Sequence, residues 1–400
     1  MNQNIAALYK IANKQERTII GLMSGTSVDG LDVALCRFSG QGMDTNLHLL
    51  AFETVAYNAA FKEQIKSVFS KRQVDLEKVC VLNAWVALEH AHIINTCLAK
   101  WQVAAADVDL IASHGQTIYH APKFLHPDDQ FGNATLQIGD GDHMAVATGI
   151  ITLSDFRQKH VAAGGEGAPL AVYGDYLIFS NKQENRIMLN IGGIANFTYL
   201  PSSLDASAVF STDVGTGNTL MDAYIQEHFP GKYFDENAAI AKEGNIQASL
   251  LQALKQNDFF TNDFPKTIGP ELFNLEYLDQ ALQASNNTHL SHADIMATLN
   301  RFSADMIVDA LQRSMGNRKD FVAYVSGGGM HNPLLMQHIR EQLPDIIFRN
   351  TAELEVNPDA KEAVLFAILA NEAICGGEVK LGAGRNGIPA VSMGKISFPR

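Results

Sequence analysis

The chain has 400 residues, 46% of them hydrophobic, and a formal charge of −13; it is long enough for two cores and too acidic for a nucleic-acid surface of clustered Lys and Arg. Its longest apolar runs stop short of the roughly 18 to 20 residues of a membrane span, and residues 1–16 carry polar and charged groups where a signal peptide needs an apolar run. Cys36, Cys80, Cys97 and Cys375 lie far apart, with no CxxC pair and no zinc spacing, which speaks against a disulfide framework or structural metal. A soluble cytoplasmic protein without nucleic-acid or membrane partners is expected, and any anionic ligand must be met by backbone N–H groups, helix N-termini or a bound cation.

Thr18 to Met23 predicts a first strand ending at the turn Ser24-Gly25-Thr26-Ser27. Leu31 to Phe38, where Leu31, Val33 and Leu35 alternate with Asp32, Ala34 and Cys36, predicts a second, and Leu47 to Tyr57 a third. Such a meander is unlike a Rossmann opening. Apolar residues at Val79, Leu82, Val86, Ile93 and Ile94 predict a long amphipathic helix over Glu77 to Trp101. A strand over Val108 to Ala112 is expected to run into a polar loop, Ser113 to Thr117, followed by strands at Thr135 to Ile138 and Ile150 to Leu153 and a helix over Ala168 to Ser180.

At Arg186 the opening pattern returns, with Ile187 to Ile191, a Gly192-Gly193 turn, Ala195 to Leu200, and a further strand at Ser207 to Ser211. The recurrence predicts two lobes of like build, residues 1–178 plus 358–400 and residues 179–357, each on a mixed sheet. Further on, Ser291 reads as the cap of a helix through Ile295, Leu299, Phe302 and Met306, and Phe321 to Val325 as a strand running into Gly327-Gly328-Gly329. Asn332-Pro333 and Asn357-Pro358 both read as helix starts, the second helix covering Asp359 to Ile374.

Three glycine segments carry the candidate chemistry. Gly25-Thr26-Ser27-Val28-Asp29-Gly30-Leu31-Asp32 puts glycines, hydroxyls and carboxylates in one hairpin, suited to phosphate oxygens and, through Asp29 and Asp32, to Mg²⁺. Asp213-Val214-Gly215-Thr216-Gly217-Asn218 places a carboxylate and a glycine turn before a helix over Thr219 to Ala223, suited to phosphate contact or proton abstraction. The Gly327 to Gly329 triplet lets a flat ring or ribose lie on bare backbone. Each also has a plain reading, as hairpin, capped helix start or tight turn; their order across two halves is what favours one nucleotide held by all three. For an acceptor, the candidates are His114, Gln116 and Thr117, then Arg157, which could equally pair with Asp155, and Glu362. Gly164 to Pro169 reads as a hinge or close-approach loop.

At these residues the chain resembles the anhydro-N-acetylmuramic acid kinases, of the actin, sugar-kinase and heat-shock-chaperone ATPase superfamily. The matching stretches run in order along almost the whole chain: GLMSGTSVDGLDVAL, SHGQT, LQIGD, DFR, GGEGAPL, LNIGGIANFTYL, DVGTGNTLMDA, SGGGMHNPLL and DAKEAVLFAILA. The resemblance implies a two-lobed, actin-like (ribonuclease H-like) α/β fold with a mixed five-stranded sheet in each lobe and a central ATP cleft. It implies ATP and Mg²⁺ as cofactors, an amino sugar as the other partner, and a homodimer. The reaction implied is phosphorylation of 1,6-anhydro-N-acetylmuramic acid as water opens its ring, in cell-wall recycling. Asp213 falls at the general base, Gly25 through Asp32 at the nucleotide loop, with Gly193, Gly215, Gly217, Asn218 and Gly327 to Gly329 also toward ATP. His114, Gln116, Thr117, Arg157 and Glu362 fall toward the sugar.

The chain departs from the family pattern at His160 (commonly Asp), Glu166 (Gln), Thr216 (Pro), Pro270 (Arg) and Val391 to Gly394. These departures keep open a kinase for a related amino sugar, and a nucleotide-binding regulator without chemistry.

Overall fold

The computed structural model describes residues 1–123, 126, 128–268, 272–287, 289–354, 357–376, 381 and 389–400. The elements in chain order begin with α1 (Gln3–Ala12), β1 (Glu16–Ser24), β2 (Gly30–Ser39), β3 (Asn46–Ala56), α2 (Ala59–Val68), α3 (Leu76–Trp101), β4 (Leu110–Ala121) and β5 (Ala134–Ile138). They continue with α4 (Gly141–Thr148), β6 (Thr152–Ser154), α5 (Phe156–Ala162), α6 (Ala171–Phe179), β7 (Asn185–Ile191), β8 (Ile194–Leu200), β9 (Phe210–Thr216) and α7 (Thr219–His228). The last are α8 (Ala248–Leu254), α9 (Leu275–Ala284), α10 (His292–Met315), β10 (Phe321–Ser326), α11 (Pro333–Gln342), β11 (Ile347–Asn350), α12 (Lys361–Cys375) and β12 (Lys395–Ser397). The chain divides into two compact units: Met1–Phe179 with Ala206–Ala208 and Asp359–Arg400, and Ser180–Asp205 with Val209–Pro358.

In the first unit the strands run β12-β6-β4-β1-β2-β3, with β5 also on β4. β1, β2 and β3 pair antiparallel, while β4 joins β1, and β6 joins β4, in parallel. β1 is buried along most of its length, because helices cover both of its faces. Ile20 and Leu22 join Val86, Ala87 and Ile94 of α3 in one core. The opposite face meets α12 so closely that a Cβ on Gly21 would lie 1.9 Å from the Ala363 carbonyl oxygen. That contact brings the first turn of α12, and with it Glu362, onto β1.

The second unit has the order β11-β10-β7-β8-β9. β7, β8 and β9 pair antiparallel, and β10 on β7 and β11 on β10 run parallel. This repeats the β3-β2-β1-β4-β6 path of the first unit, strand for strand. α10 is buried over most of its 24 residues, because its Phe302, Met306 and Leu311 face enters the sheet's core. Ser291 caps α10 through the Asp294 N–H, and Asn332 caps α11 through the Leu335 N–H with Pro333 in the first turn.

The structure thus has the α/β, mixed-sheet architecture expected. The five-stranded sheet is complete in the second unit, whereas the first adds β5 and β12 and reaches seven strands. Ser113 to Thr117 is not a loop. It lies inside β4, where register shifts against β1 and β5 mark bulges and Gly115 takes φ 73°. The strand expected at Ser207 to Ser211 lies further on, at Phe210–Thr216, after a short 3₁₀ turn at Ala206–Ala208. Asn357-Pro358 opens a 3₁₀ turn, and the α-helix starts at Lys361. Helices α1, α2, α4, α5, α8 and α9 went unread, and α4, α5 and α8 have only seven or eight residues, too few for a period to stand out.

Candidate active site

In the first unit, Thr26 and Ser27 stand exposed at the tip of the β1–β2 hairpin. Val28, β-branched, takes φ 57° with its side chain buried, and its N–H donates to the Gly25 carbonyl at 3.2 Å. A β-branched residue in the left-handed region is strained and persists only where its surroundings over-determine it. A buried chain of hydrogen bonds supplies that determination. Ser24 Oγ donates to Gln116 Oε1 at 2.5 Å and contacts the Tyr57 hydroxyl at 2.8 Å, which contacts His90 Nε2 at 2.8 Å. Gln116 Nε2 then donates to the Gly25 carbonyl at 3.2 Å. Because Gln116 Oε1 only accepts, the chain has one direction, from His90 Nε2–H through Tyr57 and Ser24.

Gln116, a sequence candidate for sugar contact, is therefore fully buried with both ends of its amide engaged. It supports the hairpin from beneath. Asp29 is exposed and lies 3.8 Å from Lys62 Nζ. Asp32, half-buried, accepts from Thr54 Oγ1 at 2.6 Å, and burial, reinforced by Asp359, raises its carboxyl although Thr54 opposes this. Among the described residues no group of three acidic, His or Cys side chains could hold a metal. A magnesium ion entering with a nucleotide would keep most of its waters and touch one carboxylate and the phosphates. Asp32, whose carboxyl burial raises despite Thr54, could take that place, since a cation would favour its charged form; Asp29 faces Lys62.

Bulged β4 also carries His114, buried, with its ring centroid 4.8 Å from that of Phe366. Its Nε2 accepts from Arg157 Nε at 2.9 Å, and burial first, then Arg157, hold it neutral well below the usual histidine range. Arg157 also donates from a terminal nitrogen to the Gly167 carbonyl at 2.7 Å. Asp155 instead pairs with Lys395. Desolvation brings Arg157 down to about 10, and Glu362 opposes the shift. Glu362 keeps access to solvent, yet the protein around it raises its carboxyl, with Asp32 adding to the rise and Arg157 and Lys361 countering it. Thr117 is half-buried and its hydroxyl accepts from Gln137 at 3.0 Å. His114, Arg157, Glu362 and Asp32 thus form one electrostatic neighbourhood, an anchored cation facing acids.

His160, where the family resemblance leads one to expect Asp, is buried and its Nδ1 accepts the Gly167 N–H at 3.0 Å. Either residue offers an acceptor there. Glu166 is half-buried in the same loop. Pro270 lies outside the described residues.

In the second unit, β9 pairs Gly215 with Ala195 but Asp213 with Asn196, so Val214 is an extra residue in a bulge that re-aims Asp213. Asp213 Oδ2 accepts the Ile268 N–H at 2.9 Å. Burial pushes its carboxyl up to about 6, against the pull of that hydrogen bond. Beyond the bulge, Gly217 N–H donates to Gly193 O at 2.8 Å, Asn218 N–H to Gly192 O at 2.9 Å and Thr219 N–H to Gly193 O at 3.1 Å. The Gly217, Asn218 and Thr219 amides leading into α7, expected to face phosphate, are thus taken up by the Gly192-Gly193 turn. A Cβ on Gly217 would lie 2.3 Å from Gly192 O, so only glycine allows this stack.

Gly327, at φ 83°, turns the chain off β10, and Gly328 to His331 forms a 3₁₀ turn. Gly328 and Asn218 line a cavity of about 440 Å³ with Met221, Asp222, Phe234 and Asn332. Its size and mixed lining suit a small planar ligand. Burial raises Asp222 to about 6. Sequence reasoning missed Asp222 and Phe234 and read Asn332 only as a cap. It also missed Tyr57 and His90; a histidine on the apolar face of α3, between Ala87 and Ala91, was the available signal.

The family model described as anhydro-N-acetylmuramic acid kinase matches residues 17–396. The chain is 58% identical over 400 residues, 100% of both chains, to a protein of that name from Pseudoalteromonas atlantica. It is 57% identical over 399 residues, again 100% of both, to one from Pseudoalteromonas translucida. A third, from Caldanaerobacter subterraneus, is 37% identical over 393 residues, 98% of this chain and 99% of that one. With a match of this extent, the chain belongs to the anhydro-N-acetylmuramic acid kinase family.

Proposed function

We propose that the chain transfers the γ-phosphoryl group of ATP to O6 of 1,6-anhydro-N-acetylmuramic acid while water opens the bridge. Relatives at 58% and 37% identity carry that sugar in their names. The observation that carries the mechanism is Asp213, a bulge-aimed carboxylate held at about 6. Burial makes it more basic than an ordinary carboxylate and so better able to take a proton.

The steps balance. Asp213 takes a proton from water as its oxygen bonds to the anomeric carbon; the C1–O6 bond breaks; O6 takes the phosphoryl group; ADP leaves. The products are N-acetylmuramic acid 6-phosphate and ADP. Thr26 and Ser27, exposed on a turn locked from beneath, supply hydroxyl donors to phosphate oxygens. The Gly328 cavity takes the nucleoside end. Asp32 would hold a magnesium ion entering with the nucleotide, which would supply charge neutralisation at the phosphates. Arg157, anchored by His114 and Gly167, meets the sugar's carboxylate, and Glu362 and Thr117 meet its polar groups. Dependence on ATP supports a place in the cytoplasm, and the sugar in the relatives' names supports a role in cell-wall recycling.

A related amino sugar remains a second reading on one observation, the Glu166 carboxylate beside the loop that holds Arg157. His160 does not favour it, being buried on Gly167. The test is to supply ATP with 1,6-anhydro-N-acetylmuramic acid or with a panel of amino sugars and to follow ADP and the phosphorylated sugar. Ring-opened 6-phosphate from the anhydro sugar is expected; turnover only with another sugar overturns the assignment, and tight ATP binding with no turnover on any sugar points to a regulator.

A further inference from the structure

The segment that donates to Asp213 lies beside β9, the end strand of its sheet, without forming a regular ladder. Lys266 N–H donates to Thr212 Oγ1 at 3.0 Å, Thr212 Oγ1 lies 3.2 Å from Lys266 O, and Asp213 N–H donates to Lys266 O at 2.9 Å. Two residues on, Ile268 N–H reaches the Asp213 carboxylate. Few backbone bonds hold this segment in register, so its side chains must do so.

The Lys266 side chain is buried. Its ammonium donates to Phe259 O at 2.6 Å and Phe260 O at 3.3 Å, at the end of the Asp258–Phe260 3₁₀ turn. It also lies 4.2 Å from the ring centroid of Phe259 and 5.4 Å from that of Phe264. The charged groups that act on it, Arg313 and Asp309, are both on α10, and Arg313 itself donates to the Phe260 and Asn262 carbonyls. An ammonium buried among carbonyls and rings instead of beside a carboxylate is costly to keep charged; desolvation brings Lys266 down to about 8. Surface burial of the segment could be met by any apolar side chain. Only a long cation ties it to two carbonyls across the turn.

We propose that Lys266 is a positioning residue for the reaction: by pinning its segment to the Phe259–Phe260 carbonyls, it holds the Ile268 N–H on Asp213 and so sets both the aim and the basicity of that carboxylate. The proposal rests on Asp213 being the base. At Asp213 burial works upward and the Ile268 bond downward. Loosening the segment therefore raises Asp213, and the acid limb of the pH profile must move to higher pH.

The full-length protein is assayed for ATP-dependent phosphorylation of the anhydro sugar from pH 5 to 9 as Lys266→Met, Lys266→Arg, Thr212→Val and Asp213→Asn. In Lys266→Met the acid limb is expected to rise by about one pH unit, with kcat down roughly tenfold to a hundredfold and the KM for ATP unchanged. Lys266→Arg restores most of both, and Thr212→Val shifts the limb in the same direction by less. A folded Lys266→Met whose limb stays at the wild-type position overturns the proposal, even if its rate falls evenly at all pH values, since that pattern is a stability effect. Should Lys266→Met fail to fold, an unmoved limb in Thr212→Val overturns it alone. Activity retained in Asp213→Asn sinks the base assignment; loss there with an unmoved limb in the Lys266 variant sinks only the positioning role.

Discussion

The two units hold their glycine turns by opposite means. In the first, the Gly25 turn is secured by side chains remote in the chain: Gln116 of β4 and Tyr57 just after β3 meet at Ser24, with His90 of α3 behind Tyr57. In the second, the Gly217 turn is secured by backbone, three N–H groups on two glycine carbonyls, with Ser303 of α10 donating to Gly217 O at 2.9 Å. A backbone-held turn depends on shape and tolerates no Cβ. A side-chain-held turn depends on the identity of distant residues, and its hydroxyl tip stays open.

The largest effect is expected beside the backbone-held turn. Asp213→Asn should cut kcat about a thousandfold with ATP affinity unchanged, read by single-turnover kinetics and calorimetric binding; a near wild-type rate breaks the scheme. The same variant should be more heat-stable than wild type at pH 7 to 8. Asp213 is raised in the folded protein, so its contribution is fully present below the unfolded carboxyl range and lost as pH rises through about 6. The stability gain must vanish near pH 4.

Next, Gly217→Ala sets a Cβ 2.3 Å from Gly192 O and should destabilise by about 2–4 kcal/mol, measured by urea unfolding. A change below 0.5 kcal/mol, well under that ~2–4 kcal/mol range, would mean that the stack yields easily and that the contrast between the turns is false. Tyr57→Phe, in the other unit, leaves His90 Nε2–H and Ser24 each short of a partner, at about 1–3 kcal/mol. It should also raise the KM for ATP more than it lowers kcat. Equal loss in both would remove the link from this chain to the hairpin.

The smallest effect is at His160. His160→Asn keeps an acceptor for Gly167 N–H and should cost under about 1 kcal/mol at pH 7. Burial depresses His160 to about 4, so the stability it contributes is present above the unfolded value near 6.5 and is lost as pH falls toward 4. Thermal unfolding between pH 4 and 6.5 should therefore be less acid-sensitive in His160→Asn; unchanged acid sensitivity would place the proton elsewhere. His90, depressed to about 3, acts in the same sense over a wider range.

Legibility followed the kind of pattern each segment carries. β1, β2, β7, β8, α3 and α10 were readable because their apolar residues repeat with a period over a long enough run. The stretch Ser113 to Thr117 misled, since five polar or small residues look solvated, whereas His114 and Gln116 point inward to partners more than 40 and 90 positions away. β9 was displaced in the reading for a similar reason: a bulge breaks the alternation on which strand recognition relies. Of the candidate site, the residue types were visible, but the division of labour was not. Gln116 supports, Asp29 faces a lysine, and the Gly217, Asn218 and Thr219 amides are already occupied.

By itself the sequence determined the strands and helices with a long regular period, where glycine permits close approach, and which family the motifs belong to, because those properties are local or are carried by residue type. Only the tertiary structure decided which polar groups remain available to a ligand. Hydrogen-bond capacity and carboxyl basicity are set by what else is packed within a few ångströms, and for Asp213 and the Gly25 turn those neighbours come from Ile268, Tyr57 and His90, remote in the chain.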